Sequence, residues 1–187
     1  MRNQILDAAA LLFSERGYEG VSMRDISAVV QVSPANLYHH FRNKPDLIDA
    51  TLAHVFEARG ESLQLFLAEQ ADDQLSAFVH WLVEALTHDR VFARLLHQVL
   101  WDGKAVSIDR LSRTVLRKPF DSVVAAVAAS GKPGPAETIA LSIIAYILGQ
   151  VLLLPLAAGL TGKAEQEPVE QMALRLLKVI HLSWELR

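Results

Sequence analysis

Cysteine is absent from the 187 residues. That absence excludes a disulfide scaffold, a thiolate nucleophile, a Cys-based zinc site and an iron–sulfur cluster. Proline and glycine are scarce along the middle of the chain: residues 46–118 hold no proline, and only Gly60 and Gly103 punctuate them. So long a stretch without breakers, carrying apolar residues at 3.6-type spacing, reads as helix. Nowhere do apolar and polar residues alternate as a half-buried strand requires, so the fold class expected is all-α. Positive charge is not in excess either. Eighteen Lys and Arg against 21 Asp and Glu give a formal net charge of −3. Binding to a polyanion by bulk charge is thereby excluded, and any nucleic-acid contact must come from a local patch. Asp7 and Glu15 interrupt the only apolar stretch near the start. With no secretory leader, the expectation is a cytoplasmic protein.

Hydrophobic residues make up 51% of the chain, more apolar surface than one small core takes up. A partner subunit, a ligand cavity or a membrane contact has to account for the excess. Ile5, Leu6, Ala9, Leu12 and Phe13 share one helical face, and Gly17 after Arg16 is a natural C-cap. The pattern recurs in Leu75, Phe78, Val79, Leu82 and Leu86, and again in Phe92, Leu95, Leu96, Val99 and Leu100. About nine helices are expected, near 3–16, 22–29, 33–40, 45–69, 72–88, 90–101, 105–130, 136–160 and 167–186. Pro119 should kink or split the seventh near Lys118, because it removes a backbone donor there. Gly131-Lys132-Pro133-Gly134-Pro135 is the clearest linker, and residues 161–167 form a second loop.

Three helix starts follow in close succession between residues 22 and 45. Ser22 with Asp25 three positions on is a capping box, so the second helix starts at Met23. Ser33-Pro34 is an N-cap followed by proline at the first helical position, where no donor is lost. Asn43-Lys44-Pro45-Asp46 repeats the device, with Asn43 or Lys44 as cap. Two short helices separated by Val30-Gln31-Val32 make a helix-turn-helix whose apolar residues Ile26, Val29, Val32, Leu37 and Phe41 can pack on the first helix. From Ile26 through Pro45 there is no acidic residue, while His39, His40, Arg42 and Lys44 lie beside Ser33, Asn36 and Tyr38. A small positive, hydrogen-bonding surface therefore stands on an otherwise acidic protein.

Ile5-Leu6-Asp7-Ala8-Ala9, Phe13, Gly17-Tyr18, Ser22-Met23-Arg24-Asp25-Ile26, Val32-Ser33 and Leu37-Tyr38-His39-His40-Phe41-Arg42-Asn43-Lys44 recur in order at the right spacing. Over about residues 3–50 the chain resembles the TetR family of transcriptional regulators. The resemblance implies a DNA-binding domain over 1–46 and a ligand-binding and dimerisation domain over 47–187. It implies that Pro34, Ala35 and Tyr38 face bases while Ser33, Asn36, His39, His40 and Lys44 mostly fix phosphates, with Arg24 joining the DNA-binding set. Two positions depart from the family's pattern: Gln31 and Ala35 stand where Gly is common. Gln31 would occupy a left-handed turn position, at a cost of about 1 kcal/mol. The partners implied are a double-stranded DNA operator, a small-molecule effector and a second copy of the chain, held through the last two helices.

In the body, Trp81, Phe92, Trp101, Phe120 and Tyr146 are candidates to line an effector cavity, with His97, Arg113 and Gln150 among its polar handles. His80, Glu84 and His88 stand four apart, so with His97 they have the spacing of a metal site. Their stripe lies opposite Leu75, Leu82 and Leu86, and a solvated face without metal or cofactor is the reading preferred. Thr138 to Gly162 is 25 residues without a charge, long enough to span a bilayer. Ser142, Gly149, Gln150 and Pro155 interrupt it, and no aromatic belt marks both ends. Burial between subunits, with no membrane contact, is expected instead. Enzyme readings find no support: Gly162-Lys163 lacks the glycine a phosphate loop needs, and no nucleophile–base pair stands at a recognisable spacing.

Overall fold

The computed structural model describes residues 1–70, 72–102, 108–162 and 167–185. Every regular element among them is helical: α1 (Arg2–Arg16), α2 (Met23–Val30), α3 (Pro34–His40), α4 (Lys44–Glu69), α5 (Gln74–His88), α6 (Arg90–Asp102), α7 (Ile108–Leu111), a π-helical turn (Ser112–Leu116), α8 (Arg117–Ala129), α9 (Ala136–Thr161) and α10 (Val169–Glu185). The all-α expectation holds. The expected start of a helix at 105 and its end at 186 lie outside the described residues, as does most of the loop at 161–167.

The region from 108 to 129 differs in detail from a single helix kinked near Lys118. The irregularity lies upstream, as a π turn over Ser112–Leu116. Pro119 explains the displacement: its ring and missing N–H act on the carbonyl four residues back, that of Val115, so the helix widens there. Pro155 sits within α9, which continues past it to Thr161.

The chain divides into two compact units, Met1–Glu61 with Arg90–Arg117, and Ser62–Asp89 with Lys118–Arg187. Helix α4 supplies residues to both. In the first unit α1 is buried on more than one side, because Ala10 and Ser14 are covered as well as Ile5, Ala9 and Phe13. It packs against both α2 and α6. Phe13 meets Tyr18 edge-on at 5.6 Å, and Phe56 meets Phe92 at right angles at 5.6 Å. Gln98 of α6 donates its side-chain amide to the carbonyl of Phe13 at 3.0 Å, and that carbonyl also accepts from the N–H of Gly17 at 2.9 Å. Gly17 at φ 73° ends α1 in a conformation that suits a residue without a Cβ.

In the second unit α5 packs on α9 and α10. Its buried face runs through Phe78, Val79, Leu82 and Val83, matched by Ile143 and Ile147 of α9 and Met172 and Leu176 of α10. The Trp81 indole N–H donates to Ser62 at 3.2 Å, and Gln64 donates to Ser122 at 2.8 Å. The outer side of α9 and α10 is a different matter. Leu141, Leu152, Leu153, Leu156, Leu160 and Leu174 are all at least half exposed.

Candidate DNA-binding interface

Each short helix of the first unit begins where local hydrogen bonding dictates. The Asp25 N–H donates to Ser22 Oγ at 3.2 Å, while the Ser22 N–H and hydroxyl donate to Asp25 Oδ2 at 2.7 and 2.6 Å. The Ser22 hydroxyl, then its backbone N–H, hold the Asp25 carboxyl below the ordinary carboxylate range, and the charge of Arg16 adds to them. Helix α2 ends at Gln31, whose φ 57° and ψ 41° are left-handed. The Val32 N–H reaches back to the Ser27 carbonyl at 3.0 Å, and the Gln31 N–H to that of Ala28 at 3.3 Å. This is a Schellman-type end built on a glutamine.

Helix α3 starts at Pro34, with the Ser33 hydroxyl accepting the Asn36 N–H at 3.2 Å. Leu37 and Phe41 are buried and anchor its inner side. Opposite them Pro34, Ala35, Asn36, Tyr38 and His39 are exposed, Tyr38 by 53%. Packing has thus turned the tyrosine outward, away from the core. His40 is half-buried and tilts against Phe41 at 6.4 Å. The cap of α4 is Asn43, whose side-chain oxygen accepts the Asp46 N–H at 2.9 Å; Asp46 in turn accepts the Arg42 N–H at 3.0 Å. Lys44 is left with its ammonium free of any capping duty, near α3. Arg24, exposed on α2, and Lys44 line a cleft of about 420 Å³ together with Ser22, Asp25, Tyr38 and Glu19.

Two residues in contact with this segment were not singled out by sequence. Glu19, in the turn between α1 and α2, brings its carboxylate to 3.8 Å from Lys44 Nζ. Arg2, at the start of α1, lays its guanidinium over the Phe41 ring at 5.2 Å. Both are remote in sequence from the acid-free segment, and no local pattern marks them.

The effector candidates have varied surroundings. In the first unit Phe92 is buried against Phe56, and the Arg59 guanidinium lies 5.9 Å from its ring. His97 and Trp101 are brought together in a stack at 5.8 Å, but Trp101 is 82% exposed. Arg113 is exposed and pairs with Asp109 at 2.9 Å. In the second unit Trp81 is buried, Phe120 is half-buried, and Gln150 accepts from Arg175 at 3.3 Å. Tyr146 lines a groove of about 450 Å³ with Pro133, Thr138, Ser142 and Val179. His80 stacks on Phe66 at 6.2 Å. Among the described residues no three His, Asp or Glu side chains converge as metal ligands would.

The model for "Bacterial regulatory proteins, tetR family" matches residues 5–51. Over those residues the chain is similar to the TetR family. The head is 39% identical over 56 residues to the HTH-type negative transcriptional regulator IcaR of the biofilm operon icaADBC in Staphylococcus epidermidis. The Staphylococcus aureus counterpart is 37% identical over 57 residues. Each match covers 30% of this chain, and 30% and 31% of those relatives, so it ends with the head. Likeness of fold extends much further. FadR from Bacillus subtilis, solved with stearoyl-CoA, aligns over 98% of both chains with a TM-score of 0.75 at 17% identity. SmeT, the repressor of the Stenotrophomonas maltophilia multidrug efflux pump SmeDEF, aligns over 98% of this chain and 90% of its own with a TM-score of 0.68 at 18% identity.

Proposed function

We propose that the protein is a homodimeric repressor that binds a near-palindromic operator through two heads and is released by a small-molecule effector. The observation carrying this reading is the sidedness of α3: Leu37 and Phe41 are buried while Pro34, Ala35, Asn36, Tyr38 and His39 face outward from an acid-free segment. A helix so presented fits the major groove, with Ala35 small enough to meet a thymine methyl and Asn36 and Tyr38 able to reach base edges. Ser33, Asn36, His39, His40 and Lys44 mostly hold phosphates, joined by Arg24, which fixes register without reading sequence. DNA binding resides in 1–46, and effector binding and dimerisation in 47–187.

The exposed leucines of α9 and α10 support the dimer. Ala136–Ala157 contains an 18-residue window of mean hydropathy 2.3, yet only 17% of that window is buried within one chain. Pairing of α9 and α10 with those of a second copy covers that surface as a four-helix bundle. The same numbers favour, as a second reading, insertion of this helix into a membrane. Size measurement without detergent separates the two, since a dimer stays dispersed and a membrane helix aggregates. For the effector, Trp81, Phe92, His97, Trp101, Arg113, Phe120, Tyr146 and Gln150 are the candidate contacts. That FadR of Bacillus subtilis was solved with stearoyl-CoA and that SmeT is a repressor supports a ligand-responsive repressor. The effector acts by its differential affinity for two head spacings, with α4 as the lever joining head to body.

The deciding experiment is selection of bound duplexes from a randomised pool at about 0.15 M salt, where purely electrostatic binding is weak. Enrichment of a near-palindrome is expected. A folded, dispersed protein that enriches no sequence refutes the reading.

A further inference from the structure

We propose that Glu19 is a built-in competitor for the phosphate that Lys44 takes, lowering the head's affinity for any duplex without changing which sequence it prefers. The inference rests on the DNA-binding reading above. Its ground is the contrast among the three carboxylates near this face. Asp25 is engaged by Ser22 in the capping box, and Asp46 by the N–H of Arg42. Each therefore has a role in folding, and each accepts a backbone N–H. Glu19 caps nothing; its side chain is 94% exposed, and its carboxylate stands 3.8 Å from Lys44 Nζ. It lines the same cleft as Arg24, Tyr38 and Lys44.

A phosphate oxygen accepting from Lys44 would lie about 2.8 Å from its ammonium. The Glu19 carboxylate would then be no more than about 7 Å from that phosphate, inside the Debye length of about 10 Å at 0.1 M salt. Lys44 must exchange one anion for another, and the anion released stays nearby to repel the backbone. Because phosphate contacts carry no sequence information, the penalty falls equally on operator and unrelated DNA. The exchange also alters ion release: Glu19, once freed, recruits a counterion and offsets one of those the DNA gives up.

The test uses the full chain as wild type, Glu19→Gln, Lys44→Ala and the double variant, with the selected operator duplex and a scrambled duplex of equal length, over about 50–200 mM salt. Glu19→Gln is expected to tighten both duplexes by a similar factor, about three- to fivefold at the low-salt end. Its plot of log affinity against log salt should steepen by up to about 0.9. In the Lys44→Ala background the gain should shrink below twofold. A merely structural Glu19 would not move the salt slope. Affinities unchanged within twofold, a gain confined to one duplex, or a gain undiminished without Lys44 each overturn the proposal alone. A wild type that binds neither duplex at low salt overturns the DNA reading and this inference together.

Discussion

Gln31 holds the turn between α2 and α3 at φ 57° and ψ 41°, and it is the one described residue other than glycine with a positive φ. A Cβ in the left-handed region crowds the following carbonyl, at a cost of about 1–2 kcal/mol. Replacing Gln31 with Gly removes that strain. The gain is reduced because glycine loses more backbone freedom on folding, by about 0.5–1 kcal/mol. The two hydrogen bonds closing the turn, from Gln31 to Ala28 and from Val32 to Ser27, use backbone atoms only and survive the change. The net expectation for Gln31→Gly is a stabilisation of about 0.5–1 kcal/mol, or roughly 1–4 °C in melting temperature for a chain of this size. Thermal unfolding followed by circular dichroism, at matched protein concentration, measures it, with operator affinity taken in parallel. Gln31→Val provides the opposite sign, since a β-branched residue tolerates the left-handed region least. Operator affinity should be little changed, because the exposed Gln31 side chain is no part of the α3 face. An unchanged or lowered melting temperature in Gln31→Gly would refute the strain argument.

Three further outcomes follow from the same geometry. The Asp25 carboxyl is held below its ordinary range in the folded chain, so its hydrogen bonds stabilise the head above the usual carboxylate pKa, and that contribution is lost as pH falls through the lowered folded-state value. Asp25→Asn should therefore be less stable than wild type at neutral pH, with the difference narrowing in acid, as pH-dependent melting would report. Tyr38→Ala should weaken operator binding by about five- to a hundredfold and relax sequence preference, whereas Lys44→Ala should weaken all duplexes and lower the salt slope by about one; retained affinity in both removes the assigned surface. Leu152→Glu combined with Leu156→Glu should convert the dimer to a monomer of unchanged helix content by light scattering, and a surviving dimer would move the interface elsewhere.

What could be read from the sequence was what local chemistry determines. The starts at Met23 and Pro34 follow from hydrogen bonds spanning three residues; the left-handed Gln31 is implied by the family resemblance, in which Gly is common at that position. A kink or split near Lys118 is expected from Pro119, whereas the irregularity is a π turn several residues earlier, because proline acts on the carbonyl a turn behind it. The approach of Glu19 to Lys44 has no local signature, being produced by the fold that brings the turn after α1 to the start of α4. Aromatic type likewise does not tell face from core: Trp81 is buried and Trp101 exposed, though both occur in apolar surroundings in the sequence. The outward turn of Tyr38 became decidable only when Leu37 and Phe41 were seen to occupy the inner side.

Helix α1 is closed at its end by Gln98, a residue 85 positions later. A nascent chain that has emerged only as far as α4 has made every residue proposed to contact DNA, yet it lacks α6, which packs on α1. The head must then wait for α6 before Phe13 has its full set of neighbours. The same dependence limits engineering. A fragment ending at residue 46, or a chimera in which another body is spliced after it, leaves Ala10 and Ser14 wet and the Phe13 carbonyl without its side-chain donor. A transplant that carries Arg90–Arg117 along with the first 61 residues keeps the unit whole.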